Sequence, residues 1–178
     1  YFSTYGYLKF DSFDQKYFPR KGLYFTGELK SFLYSTNHTN TFERFSVAKA
    51  DFGIAQTFYK TVTLKFQTEG GFAFGERGVS FFDFILGGYG FQTVNNLRPF
   101  LGYDFLSISG DSYVKARLTA DDEFYKKHHL NFTANFANAG DRIFEKTERW
   151  LSKPSYTGYS FGYGMETIVG PIEVKHSW

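Results

Sequence analysis

Hydrophobic and polar positions alternate along most of this chain with a period of two, the pattern of strands that turn one face to an apolar medium and the other to a polar one. From Tyr1 to Asp11, Phe2, Thr4, Gly6, Leu8 and Phe10 oppose Tyr1, Ser3, Tyr5, Tyr7, Lys9 and Asp11. Leu23, Phe25, Gly27, Leu29, Ser31 and Leu33 then oppose Tyr24, Thr26, Glu28 and Lys30. Over Phe45 to Phe58, Ala48, Ala50, Phe52 and Ile54 oppose Val47, Lys49, Asp51 and Gly53. Val62 to Phe74 is the clearest case, with Leu64, Phe66, Thr68, Gly70 and Phe72 against Thr63, Lys65, Gln67, Glu69 and Gly71. A short strand is predicted over Val79 to Leu86, after which alternation resumes over Ser112 to Phe124, His128 to Phe136, Gly158 to Val169 and Ile172 to Trp178.

The breaks between these runs read as reversals. They are Phe18-Pro19-Arg20-Lys21-Gly22, Tyr59-Lys60, Tyr125-Lys126-Lys127 and a Gly170-Pro171 hinge, with polar loops over Ser35 to Glu43 and Asn138 to Thr157. About nine strands result, joined mostly by hairpins and without a convincing helix, which predicts an all-β, antiparallel up-and-down barrel as one domain over residues 1–178. Several strands run roughly a dozen residues, longer than the ~5 to 6 usual in soluble sheets and enough to cross a bilayer, which takes ~9 to 11. The polar face carries several full charges per strand, too many for a dry core, and Phe32, Tyr34, Phe58, Tyr59, Phe72 and Phe74 gather near strand ends as interfacial girdles do. The apolar face is therefore expected outside. A soluble lipid-carrying barrel would reverse the faces.

Composition agrees. Phe (24) and Tyr (14) supply most of a 22% aromatic content that favours strands, and a mean hydropathy of −0.36 is ordinary for a membrane barrel whose lumen-facing residues offset the lipid-facing ones. A net charge of +2 without a basic block argues against nucleic acid, and the absence of Cys excludes disulfides and Cys-based zinc sites. Tyr1 already lies within a strand pattern with no signal peptide before it, so the expected true N-terminus is upstream. The Gly-rich run from Leu86 to Tyr103 interrupts the wall and reads as a segment the wall encloses, a lumen-folded loop over about residues 87–103.

Four stretches resemble the C-terminal barrel of the bacterial surface-antigen superfamily, which includes outer-membrane assembly factors, two-partner secretion transporters and barrels fused to patatin-like phospholipases. The turn carrying Pro19 and Gly22 is similar to the family's Phe-Pro-x-Arg-Gly turn. Leu86-Gly87-Gly88 followed by Arg98 resembles the loop that family members fold into the lumen. Phe136-Ala137-Asn138-Ala139-Gly140 resembles the Phe-x-Asp-x-Gly wall motif that receives the loop arginine, and Gly162 to Val174 resembles the penultimate hairpin, with its Gly170-Pro171 turn.

The resemblance implies the C-terminal part of a sixteen-strand barrel in the bacterial outer membrane, with N-terminal strands before Tyr1 and a final strand after Trp178. It implies no cofactor. Its implied partners are outer-membrane lipids, the barrel assembly machinery and an upstream passenger domain. Leu97-Arg98-Pro99-Phe100 has Pro where the family mostly has Gly, most like the patatin-fused branch, which implies a barrel that anchors and translocates a lipid hydrolase. A polypeptide assembly or secretion pore is the alternative. Asn138 replaces the family's Asp, so the implied lock of Arg98, Phe100, Phe136, Asn138 and Gly140 would be an arginine–amide hydrogen bond, weaker without charge assistance. Strict alternation requires a bulge near Ala137 to turn Asn138 inward.

Other chemistry is thin. Gly158-Tyr159-Ser160-Phe161-Gly162 matches the G-x-S-x-G nucleophile pattern but lies in an alternating strand rather than at a strand-to-helix elbow, so no catalytic residue is assigned. His38, His128, His129 and His176 read as turn and interface residues, with His128 near a strand end where a rim histidine would sit. Asp121, Asp122 and Glu123 beside Lys126 and Lys127 read as a solvated turn, not a metal site. Lys49, Asp51, Lys65, Glu69, Lys115 and Arg117 are expected to line a polar lumen.

Overall fold

The computed structural model describes residues 1–35, 42–75, 83–90, 96–143 and 153–178. In chain order the strands are β1 (Phe2–Asp11), β2 (Lys21–Tyr34), β3 (Phe45–Phe58), β4 (Val62–Gly75), β5 (Phe84–Leu86), β6 (Leu97–Arg98), β7 (Ile108–Gly110), β8 (Ser112–Tyr125), β9 (His128–Gly140), β10 (Tyr156–Thr167) and β11 (Gly170–Ser177). Eight of them form one antiparallel wall in the order β1-β2-β3-β4-β8-β9-β10-β11, so each wall strand pairs with the next wall strand along the chain. The three short strands form a separate sheet, β6-β5-β7, inserted between β4 and β8. Of the strand expected over Val79 to Leu86, residues 79–82 lie outside the described residues. Its described part is β5, which pairs with β6 and β7 instead of the wall, and β4 ends at Gly75 with φ +97°. The β6 and β7 strands are too short for periodicity to reveal.

The two faces of the wall differ as the alternation requires. On β9, His129, Asn131, Thr133 and Asn135 are at most 3% exposed, whereas Leu130 and Phe132 on the opposite face are 37% and 44% exposed. On β8, Tyr113, Lys115, Thr119 and Asp121 are buried while Leu118 stands open. The polar face is the enclosed one. An apolar outer face of this extent, with Ile54, Phe66, Phe161 and Val174 also exposed, needs lipid to cover it. A lipid-carrying soluble barrel would show the reverse.

Chain reversals fall into two sets. The β3–β4, β8–β9 and β10–β11 turns at one end are tight, and the β2–β3, β4–β8 and β9–β10 connections at the other end are long. Tyr59 and Lys60 both take positive φ (48° and 68°), so the β3–β4 reversal has the left-handed backbone of a hairpin turn without the Asn-Gly that usually marks it. Two boundaries move relative to the sequence reading. Strand β9 runs on to Gly140 and β10 starts at Tyr156, which shortens the polar loop expected over Asn138 to Thr157. The β10–β11 turn is Ile168-Val169, and Gly170-Pro171 already belongs to β11, pairing with Thr167 and Glu166. Pro171 is tolerated there because the Glu166 N–H opposite it bonds away from β11, to the Lys127 carbonyl, so no ladder bond needs a Pro171 N–H.

Inside the long-loop end, Phe32, Phe45, Val47, Tyr113 and Ala137 of the wall pack against Phe84, Leu86, Phe100 and Ile108 of the insert in one buried cluster. Two wall glycines admit it. A Cβ at Gly71 would lie 2.6 Å from the Phe84 ring, and one at Gly158 would lie 1.9 Å from the Leu101 carbonyl oxygen.

Candidate functional site

The insert carries Arg98 into the lumen on β6, held by backbone bonds that tie its two arms together. Gly87 N–H donates to the Arg98 carbonyl at 3.1 Å, Phe100 N–H to the Gly88 carbonyl at 3.1 Å, and Gly88 N–H to the Tyr103 carbonyl at 2.9 Å. Gly87 sits at φ +137° with the Asp104 carbonyl where a Cβ would be, so no other residue fits without displacing that turn.

Arg98 is 7% exposed. Its guanidinium forms an ion pair with Glu69 on β4, and its Nε donates to the Tyr113 hydroxyl on β8 at 2.8 Å. The Tyr113 hydroxyl in turn donates to Glu69 Oε1 at 2.6 Å, and Lys115 Nζ lies 2.6 Å from Glu69 Oε2. One carboxylate therefore answers two cations and a phenol, which satisfies both its oxygens in a water-poor lumen. The backbone beside Arg98 is held as well: the Pro99 carbonyl accepts from Lys115 Nζ at 3.3 Å and from Arg117 Nη2 at 3.2 Å. Proline presents a carbonyl and no N–H, so position 99 has no backbone donor to satisfy. Asn135, fully buried on β9, donates to the Leu101 carbonyl at 2.9 Å and to the Gly158 carbonyl at 3.1 Å.

The structure separates the remaining residues of the expected lock from Arg98. Strands β8 and β9 stay in regular register through Ala137, with no bulge. Asn138 keeps the outward register of Phe136, and its amide oxygen accepts from the Ser155 N–H at 2.7 Å, away from the guanidinium. Phe100 is completely buried beside Tyr103. Gly140 marks a backbone contact: a Cβ at Gly110 on β7 would lie 2.5 Å from Gly140 N, so the inserted sheet touches the end of β9 there. The residues that meet Arg98, Glu69 and Tyr113, escaped the sequence reading as its partners. The available signal was a full carboxylate followed by Gly70-Gly71 on the inward face of the strand that leads into the loop.

A second segment enters from the tight-turn end. Between β1 and β2, Phe18 is 4% exposed and stacks on His129, with ring centroids 4.0 Å apart and planes at 11°. His129 Nδ1 lies 2.9 Å from Asp121 Oδ2, and Gly164 leaves the space that the Phe18 ring fills. Arg20 pairs with Glu123 at 2.8 Å, and Gly22, at φ +114°, lies against the Ser12 carbonyl, which explains the glycine in this turn.

The match of the OMP85 superfamily profile covers residues 1–178. The chain belongs to the OMP85 superfamily. It is accordingly an outer-membrane β-barrel of bacteria, and the wall of this OMP85 barrel is oriented by its connections, with the long loops extracellular and the tight turns periplasmic. A search among curated proteins finds no match to it.

The other candidate chemistry disperses over the OMP85 wall. Ser160 is inward, fully buried and on a strand, and its hydroxyl has no hydrogen-bond partner among the described residues. His128 lies at the periplasmic rim with its Nδ1 2.6 Å from the Tyr163 hydroxyl, near Phe124 and Tyr125. His176 stacks on Trp178, and His38 lies outside the described residues. Asp121 faces His129 and Glu123 faces Arg20, and no group of His, Asp or Glu among the described residues is arranged to hold a metal ion. Tyr89, next to the loop glycines, donates to Glu173 Oε2 at 3.0 Å, and burial together with that carboxylate pushes its phenol pKa up.

Proposed function

We propose that this barrel anchors an upstream domain of the same polypeptide in the outer membrane and translocates it, with the inserted segment as a lumen plug locked by Arg98. The observation that carries this reading is the buried Arg98–Glu69–Tyr113 cluster with Lys115 as second cation. Removing one partner of such a buried pair costs about 3 to 5 kcal/mol, so the closed arrangement is the resting state. Phe100 and Gly140 support the plug through packing and close backbone approach, and Asn138 fastens the β9–β10 connection above it. Outer-membrane lipids cover the apolar face, and the barrel assembly machinery inserts the wall.

The passenger is a patatin-like lipid hydrolase. Support comes from the proline at the loop tip, Leu97-Arg98-Pro99-Phe100, which resembles the patatin-fused branch. The second reading, a polypeptide assembly or secretion pore, is favoured by OMP85 membership itself. Intact mass of the native protein from membranes, with peptide mapping upstream of Tyr1, decides between them. The proposal expects a mass well above 20.6 kDa and hydrolase peptides upstream. Polypeptide-transport repeats upstream would establish the second reading, and a mass near 20.6 kDa would overturn both.

A further inference from the structure

Between the extracellular plug and the periplasmic turn the lumen keeps a chamber of about 380 Å³. Its ceiling includes Tyr89 and Leu101 and its floor Phe18 and Pro19. The wall at that level supplies four cations, Lys9 on β1, Lys65 on β4, Arg117 on β8 and Lys175 on β11, and the β1–β2 turn adds Lys16.

The carboxylates around the chamber are committed elsewhere. Glu173 lies 2.6 Å from Lys175 Nζ and also accepts from Asn131 and Tyr89. Asp121 is turned to His129, Asp51 accepts the Tyr24 hydroxyl at 2.6 Å, and Glu69 serves Arg98 and Lys115. Asp11, at the rim, accepts the Phe13 N–H. Lys65 Nζ lies over the face of the Phe18 ring, 5.8 Å from its centre. Arg117 bonds neutral acceptors alone, Asn135 Oδ1 and the Pro99 carbonyl, each at 3.2 Å. Among the described residues neither of these cations has a carboxylate within ion-pairing distance.

Two cations side by side without a carboxylate in direct contact, in a partly desolvated chamber, repel one another and attract an anion. Their registers make them near neighbours, since Lys65 pairs with Thr119 and Gln67 with Arg117 across the β4–β8 ladder. A lysine point charge beside a planar guanidinium, with the Gln67 amide and the Thr119 hydroxyl on the same wall, suits a tetrahedral oxyanion.

We propose that this chamber is a binding site for a phosphate group, with Lys65 and Arg117 as its charged ligands. Lys65 and Arg117 lie on the adjacent strands β4 and β8, so the proposal does not rest on the identity of the passenger domain. The phosphate could come from a soluble anion or from a lipid headgroup, and the test separates the two sources.

The intact protein in a non-ionic detergent would be titrated with inorganic phosphate against chloride at constant ionic strength, and separately with a short-chain phosphatidic acid. Lys65→Gln touches neither the plug nor the Glu69 cluster, and Lys126→Gln in the exposed β8–β9 turn serves as control. The proposal expects saturable phosphate binding that Lys65→Gln weakens about tenfold and Lys126→Gln leaves unchanged, a tenfold loss being about 1.4 kcal/mol. The same Lys65 dependence seen with phosphatidic acid but not with inorganic phosphate assigns the headgroup as the source. Binding of neither, or binding that both variants change equally, overturns the site. Unaltered gel mobility of unheated Lys65→Gln confirms that the variant is folded.

Discussion

The chain enters the barrel from both ends, by different chemistry. At the extracellular end the insert arrives as a three-stranded sheet, fixed by a carboxylate that answers Arg98 and Lys115, by two donors on the Pro99 carbonyl and by glycines that let backbone meet backbone. At the periplasmic end the β1–β2 turn arrives as a single aromatic ring, stacked on His129 and backed by an Arg20–Glu123 pair whose side chains are 38% and 22% exposed. Buried ion pairs hold tightly once made, whereas a half-exposed pair contributes at most about 1 kcal/mol because water screens it. The extracellular plug is therefore the durable closure and the periplasmic turn the one that yields first.

The largest expected effect comes from Glu69→Gln, which strands Arg98 and Lys115 without a carboxylate. A loss of about 3 to 5 kcal/mol should appear as a lower unfolding temperature in heat-modifiability gels, with new protease cleavage in the insert. Arg98→Ala should cost less, because Glu69 keeps Lys115 and the Tyr113 hydroxyl. Next is Gly158→Val, whose side chain must displace the Leu101 carbonyl. About 1 to 3 kcal/mol is expected, together with raised single-channel conductance as the plug shifts. Phe18→Leu removes the stack on His129 at a cost of about 1 kcal/mol and should expose the β1–β2 turn to trypsin at Lys16 and Arg20, with the insert still protected. Arg20→Gln is the smallest, under about 1 kcal/mol. If Phe18→Leu destabilises the barrel as much as Glu69→Gln does, the two ends are not held as described.

Much of this was readable from the chain. A period of two cannot be confused once strands run to fourteen residues, as β3, β4 and β8 do, and the charges on one face decide which side is enclosed. The loop stood out because its Gly-rich run interrupts the period-two alternation, and its described residues form β5, β6 and β7 apart from the wall. Pairing inside the lumen was not. Periodicity places Glu69, Lys115 and Arg117 on one face but carries no information on which of them a distant loop residue meets. Asn138 misled because a resemblance of motif says nothing about register: β9 continues without a bulge, and the amide serves Ser155. Tyr113 was hidden by its type, an aromatic at a strand start that reads as girdle yet is wholly buried under the insert.

Arg98 and Glu69 hold the plug as a pair. A double-mutant cycle of Arg98→Met and Glu69→Met, read by urea unfolding of the detergent-embedded protein, measures it directly. A coupling energy of about 2 kcal/mol is expected, with the double variant more stable than the sum of the single losses implies. Additivity within about 0.5 kcal/mol would show that the two side chains act independently and would contradict the lock.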